Sequence, residues 1–88
     1  MYYVYCLESQ KNFKLYIGYT SDLKKRLQDH NDQIGGDFTS KNGPWKLIYY
    51  EAYITKNDAM AQEQYYKTGF GRETLKKKIK IYLGGRSA

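Results

Sequence analysis

The sequence predicts an α/β (α+β) domain, a three-stranded, mainly antiparallel sheet flanked by helices in the order ββαβαα. Three observations carry this. Aromatic and β-branched runs of strand length occur at Tyr2 to Leu7, Leu15 to Thr20 and Trp45 to Tyr53. Apolar residues at helical spacing follow them, opened by Ser, Thr, Asn or Asp. Finally, 88 residues with 41% hydrophobic and 27% charged side chains can build one core of ordinary globular composition and not two.

The first two runs form a hairpin whose turn covers Glu8 to Asn12. Ser21 and Asp22 then open a first helix that continues through Leu23 and Leu27 to about Asn31. Residues 32–44 hold three glycines, a proline and several Asp, Asn and Ser residues, which is the chemistry of a long exposed loop. After the third strand, a helix is expected from about Asp58 to Thr68, with Gly69 in the left-handed conformation that closes many helices. A last helix, Arg72 to Leu83, carries Leu75, Ile79, Tyr82 and Leu83 on one side and lysines around the rest, and Gly84-Gly85 ends it. Residues 1–83 thus read as one domain and 84–88 as a flexible tail.

Composition removes several function classes. No apolar run approaches the roughly 18 residues of a membrane span, so neither an anchor nor a signal peptide is expected. One cysteine, Cys6, and one histidine, His30, exclude an intrachain disulfide and a Cys/His zinc cluster, which points to the cytoplasm. Of the formal net charge of +6, all lies after residue 66, where Lys67, Arg72, Lys76, Lys77, Lys78, Lys80 and Arg86 face Glu73 alone. A basic surface so localised suits a polyanion, most often nucleic acid, although a solvated lysine face explains the charge equally well.

Several side chains invite chemistry. On the first helix, with Leu23 at zero, Leu27 falls at about 40°, His30 at about −20° and Arg26 at about −60°. Arg26 and His30 therefore border the buried stripe, as a snorkelling cation and a core-edge imidazole or as a pair addressing one phosphate. On the second helix, Ala59, Glu63, Tyr66 and Phe70 follow i, i+4, i+7, i+11. Glu63 in that apolar stripe needs a salt bridge, with Arg26 for instance, or a hard cation held by one carboxylate and waters. Most of the eleven tyrosines are expected to pack the sheet. Gly18, inside a strand, weakens it and marks a place where a ligand or another backbone comes close.

Tyr3-Val4-Tyr5, followed after ten residues by Tyr16-Ile17-Gly18, resembles the paired strand motifs of the GIY-YIG nuclease family, in particular its small single-domain bacterial members. Arg26 and His30 on the next helix, Glu63 on a later one, and the segment Thr39 to Leu47 extend the resemblance over most of the chain. It implies hydrolysis of a phosphodiester with one divalent ion, Mg²⁺ or Mn²⁺. It further implies that Tyr5 activates the attacking water beside Tyr16, that Arg26 neutralises the scissile phosphate, that His30 orients or relays a proton, and that Glu63 is the metal ligand. Gly18, Lys67, Lys76, Lys77 and Lys80 are the expected nucleic-acid contacts. DNA is the expected partner, with RNA left open. Two departures stand beside the match: Tyr3 occupies the glycine position of the first motif, and no asparagine follows Glu63, where several family nucleases use one. With no room for a separate recognition domain, the reading is a DNA endonuclease of weak sequence preference, structure-selective in DNA repair or recombination. The alternatives are a non-catalytic nucleic-acid-binding module on the same fold and a protein-interaction domain that binds an acidic partner through its tyrosines and lysines.

Overall fold

The structure, a computed structural model, describes residues 1–32 and 41–86. Its centre is strand β1 (Tyr2–Ser9), which pairs antiparallel with β2 (Leu15–Thr20) from Tyr3↔Thr20 to Glu8↔Leu15. On its other edge β1 pairs antiparallel with β3 (Trp45–Tyr53) from Tyr2↔Tyr53 to Ser9↔Trp45, giving the order β2-β1-β3. Enclosed on both edges, β1 is buried from Val4 to Ser9, two residues further than the sequence predicted. Glu8 and Ser9 were expected in the turn; they are strand, and each side chain finds a polar partner where it lies. The Tyr82 hydroxyl donates to Glu8 Oε1 at 2.8 Å, and Ser9 Oγ accepts the Lys11 and Asn12 amides at 3.1 and 3.2 Å. Register shifts on β3 between the partners of Cys6 and Leu7, which are Tyr49 and Leu47, so Ile48 is the extra residue of a bulge.

Alternation along the strands sorts side chains onto two faces. Tyr5 and Leu7 pack with Trp45, Tyr16, Leu47 and the Leu23 and Leu27 side chains of helix α1 (Leu23–Asn31). Val4, Cys6 and Ile17 face the other way, against Ala59 and Tyr66 of α2 (Lys56–Tyr66) and Leu75 of α3 (Gly69–Lys78). The sheet is therefore covered on both faces. Cys6 is buried, which pushes its thiol pKa up to about 12 and keeps it neutral and unreactive. No helix among the described residues is long and apolar enough to cross a membrane.

Helix limits follow the caps. Asp22 Oδ1 accepts the Lys25 amide at 3.1 Å and opens α1 as expected. Thr55 Oγ1 accepts the Asp58 amide at 3.2 Å, so α2 begins at Lys56, before the predicted Asp58. Thr68 Oγ1 accepts the Gly71 amide at 3.0 Å, which opens α3 at Gly69; α2 closes instead at Lys67 with right-handed φ −86°, ψ −9°. Gly69 is thus the first residue of a helix and not the left-handed end of one. Glycine is demanded at Gly71, where a Cβ would stand 1.8 Å from the Tyr65 carbonyl oxygen. Because the chain turns at Thr68, Phe70 leaves the Ala59–Glu63–Tyr66 stripe predicted for it and is 86% exposed. The predicted last helix is two: α3 stops at Lys78, Ile79 departs to φ −116°, ψ 25°, and α4 (Lys80–Arg86) follows. Gly84 and Gly85 lie inside α4 and do not end it.

On β3, Glu51 gathers hydroxyl hydrogen bonds from Tyr49, Tyr53 and Tyr66, the Gln62 amide, and the Lys78 ammonium at 3.0 Å. Lys78 also donates to the Tyr66 hydroxyl at 2.9 Å, so this lysine belongs to the fold and not to the solvated face. Burial alone would raise the Glu51 pKa, but those donors more than offset it and hold the carboxyl down at about 2. A folded pKa below the unfolded one stabilises fully above the unfolded value and loses that contribution as pH falls from about 4.5 towards 2. Glu51→Gln should cost about 1–3 kcal/mol at neutral pH. It should also flatten the acid limb of a plot of urea midpoint against pH; an unchanged limb would show that the network adds nothing.

Candidate active site

Tyr5 organises the site, and β1 fixes it. Opposite Tyr5 on β2 stands Gly18, and a Cβ there would meet Tyr5 Oη at 2.4 Å and Cζ at 2.6 Å. What comes close to Gly18 is thus neither the ligand nor the other backbone expected there but the phenol side chain, which lies across the edge strand towards α1. There its oxygen is 2.9 Å from Nε2 of His30, and the Arg26 guanidinium on the preceding turn is near enough to draw its pKa down. Tyr16 completes the cluster, its ring centroid 5.0 Å from that of His30, 6.4 Å from that of Tyr5 and 6.1 Å from that of Trp45.

His30 is wholly buried, deeper than the core-edge position read from the helix angle, while Arg26 on the preceding turn is exposed. A groove of about 190 Å³ runs beside Arg26, lined by Thr20, Ser21, Asp22, Lys25 and Asp29. Burial first, and the Arg26 charge second, hold the His30 pKa below its usual value, so the ring is neutral at neutral pH. Burial pushes the Tyr5 pKa up to about 12, and the Tyr16 and Glu63 charges push the same way, while Arg26 pulls it down.

Neutral imidazole presents one N–H, and the choice of nitrogen decides the site's polarity. Nδ1 has no hydrogen-bond partner. The direction of the Tyr5–His30 bond follows the tautomer: with the proton on Nδ1 the phenol donates to Nε2, and with it on Nε2 the ring donates to Tyr5 Oη. A phenolate can only accept, so ionised Tyr5 is stabilised by the Nε2–H tautomer beside the Arg26 charge.

Glu63 comes from the opposite layer. Helix α1 covers the Tyr5 face of the sheet and α2 the Val4 face. Four of the five predicted residues, Tyr5, Tyr16, Arg26 and His30, meet directly, and Glu63 acts on Tyr5 through its charge. Its Oε2 lies 3.4 Å from the Lys67 ammonium and its Oε1 accepts the Gln64 amide at 2.9 Å. The salt bridge predicted with Arg26 is made instead with Lys67, one turn on in the same helix. The Glu63 side chain is 11% exposed, and Lys67 reaches it from the solvent side at 46% exposure. An ammonium already occupies a cation position at this carboxylate. Among the described residues no group of three or more His, Cys, Asp and Glu could hold a metal ion. The donor set that fits is therefore one carboxylate with water, as a hard cation accepts.

Asn31 is a positioning residue that the sequence did not single out. Its side chain donates to the Trp45 carbonyl at 3.1 Å and accepts the Trp45 amide at 2.6 Å, tying the end of α1, and hence His30, to the start of β3. Its only signal was an amide directly after the helix histidine. Of the predicted nucleic-acid contacts, Lys76, Lys77 and Lys80 are exposed, Lys67 is engaged with Glu63, and Gly18 is buried beneath Tyr5. Residues 33–40, where part of the predicted loop falls, lie outside the described residues.

Gly18→Ala tests the packing. The added methyl cannot coexist with Tyr5 in place, so the variant should lose about 1–3 kcal/mol and shift the His30 ring signals in NMR spectra. Native His30 shifts would mean that Tyr5 can yield without disturbing its partner.

Comparison with known proteins is consistent over the whole fold. Residues 1–80 match the family described as the GIY-YIG catalytic domain. A UPF0213 protein of Clostridium perfringens is 42% identical over 67 residues, which cover 76% of this chain and 71% of that protein. The UPF0213 protein YazA of Bacillus subtilis is 38% identical over 73 residues, covering 83% of this chain and 69% of that protein. The solution NMR structure of a UPF0213 protein from Bacillus halodurans superposes with a TM-score of 0.52 at 33% identity, over 85% of this chain and 82% of that one. With residues 1–80 of the chain matched by the family's catalytic domain, the chain belongs to the GIY-YIG family.

Proposed function

We propose that the protein is a cytoplasmic, divalent-ion-dependent DNA endonuclease that hydrolyses phosphodiester bonds with weak sequence preference, acting on structured DNA in repair or recombination. The observation that carries this is the Tyr5 oxygen, hydrogen-bonded to His30 Nε2 at 2.9 Å beside the charge of Arg26, which itself lines a polar groove. A water attacking phosphorus gives its proton to that oxygen, the new P–O bond forms, and the leaving oxygen departs with the electrons of the broken bond. Arg26 and His30 stabilise the phenolate that accepts the proton, and Arg26 also faces the phosphate. With a pKa near 12, only about one Tyr5 in 10⁵ is ionised at pH 7. That scarcity is matched by high basicity, and a cation on Glu63 would cancel the carboxylate charge that helps keep the value high. Glu63 and the water it orders are the residue and ligands that would hold Mg²⁺ or Mn²⁺, which supplies charge stabilisation at the leaving oxygen.

Plasmid nicking with Mg²⁺ or Mn²⁺ tests the reading. Conversion of supercoiled to open-circular DNA is expected; tight binding without any nicking would make the protein the binding module instead. Affinity should come from the exposed Lys76, Lys77 and Lys80, because phosphate contacts position a duplex without reading it. The triple alanine variant should weaken binding equally across sequences and reduce the salt slope by roughly 0.9 per lost contact. An unchanged slope would reduce these lysines to a solvated face.

A further inference from the structure

Among the described residues Phe70 is the most exposed large hydrophobic side chain, at 86%, and it is not loosely held. The turn that carries it is fixed at three points. Thr68 Oγ1 donates to the Tyr65 carbonyl at 2.7 Å and accepts the Gly71 amide at 3.0 Å, and Gly71 lies against the Tyr65 carbonyl too closely for any side chain. Behind it, the Tyr65 hydroxyl meets Thr74 Oγ1 at 3.0 Å, binding the last turn of α2 to α3. A rigid backbone therefore holds an aromatic ring out in water, beside an open cavity of about 470 Å³ that it lines with Gly69 and Glu73. Ring burial would favour the inward orientation predicted for this residue, and the turn forbids it.

Its neighbours suggest the occupant. Lys67, three residues before Phe70, has its ammonium on Glu63, so the ring stands at the Glu63 end of α2. Lys67 and Arg72 flank it, and Lys76 and Lys77 lie nearly two turns on, against the single carboxylate of Glu73. An aromatic platform among cations suits a polyanion that also offers flat apolar faces. Nucleic-acid bases have that chemistry once they are unstacked. A paired duplex keeps its bases covered and offers this ring only backbone.

We propose that Phe70 stacks on an unpaired base next to the scissile phosphate, so that it selects DNA with a gap, flap or branch over continuous duplex. The inference rests on the nuclease reading for its substrate, and it names the feature by which that substrate is chosen. Preference for structure then needs no additional domain.

Binding and cleavage are measured on two DNAs of the same sequence, one fully paired and one with 2-aminopurine in a short single-stranded gap. Binding is followed without divalent ion. Wild type should bind the gapped DNA more tightly and change the 2-aminopurine fluorescence as the base stacks. Phe70→Ala should lose about 5- to 100-fold in affinity for the gapped DNA, lose the fluorescence change, and bind the paired duplex within about twofold of wild type. Phe70→Trp should retain the preference. An equal loss on both DNAs, no loss on either, or no wild-type affinity for nucleic acid would overturn the inference. The two readings fail separately: Phe70-dependent selection without cleavage sinks the nuclease alone, and cleavage indifferent to Phe70 sinks this proposal alone.

Discussion

Tyr5→Phe should lower single-turnover DNA cleavage by about 10²–10⁴-fold, the usual contribution of a positioned acid or base. The substitution deletes one oxygen from a buried ring and leaves the ring's packing on Gly18, Leu7 and Trp45 in place. DNA affinity should hold, because the phenol is proposed to act on a water and Tyr5→Phe leaves every binding cation in place, Arg26 included. Stability should not hold entirely: His30 would be left buried with its Nε2 unmet, at about 1–3 kcal/mol. The useful signature is therefore a large loss in rate with a small loss in melting temperature and none in binding, read by gel assay, thermal melt and anisotropy. A rate within a few-fold of wild type would remove Tyr5 from the proposed chemistry.

The second large effect is expected at Glu63→Gln, which keeps the side chain's shape and its hydrogen bond to Gln64 but removes the charge that would hold a divalent ion. Cleavage should fall by several orders of magnitude, a few kcal/mol of barrier, as when a preorganised charge leaves a reacting centre. Binding should stay as tight or become tighter, since a carboxylate repels the phosphates and Lys67 is freed to meet them. The fold should survive, because the ion pair lost is partly exposed and worth about 0–1 kcal/mol. Higher Mn²⁺ restoring the rate would support ion binding at this residue. Cleavage unchanged in the variant would leave Glu63 as a salt bridge and nothing more.

The sheet was legible because its signal is local. Each strand carries its own alternation and aromatic content, and the Tyr-Ile-Gly and Tyr-Val-Tyr segments fell into register opposite each other, Tyr5 against Gly18. Helix faces were legible as well: Leu23, Leu27, Ala59 and Tyr66 all point inward. Which side of the sheet each helix covers was not, since periodicity gives a helix its inner face without saying which layer it joins. That is why Glu63 was expected beside Arg26 and is found on the opposite layer, paired with Lys67. The burial of Glu8 could not be foreseen either, because its partner Tyr82 lies 74 residues away. Gly69 misled for a different reason. Glycine after a helix is a common stop, but a threonine immediately before it competes as the cap of the next helix, and Thr68 prevailed. The same substitution of one boundary for another put Phe70 in solvent.

The proposed chemistry stands most directly on the pH dependence of the cleavage step. If the Tyr5 phenolate accepts the proton, the active fraction rises with pH at every value below its raised pKa of about 12. Single-turnover rates measured from pH 6 to 10 at saturating Mg²⁺ should then climb roughly tenfold per pH unit until another step limits them. Tyr5→Phe, measured alongside, should fall below wild type at every pH, by a margin that widens as pH rises. The contradicting result is a wild-type rate that does not depend on pH, or a Tyr5→Phe profile that coincides with it.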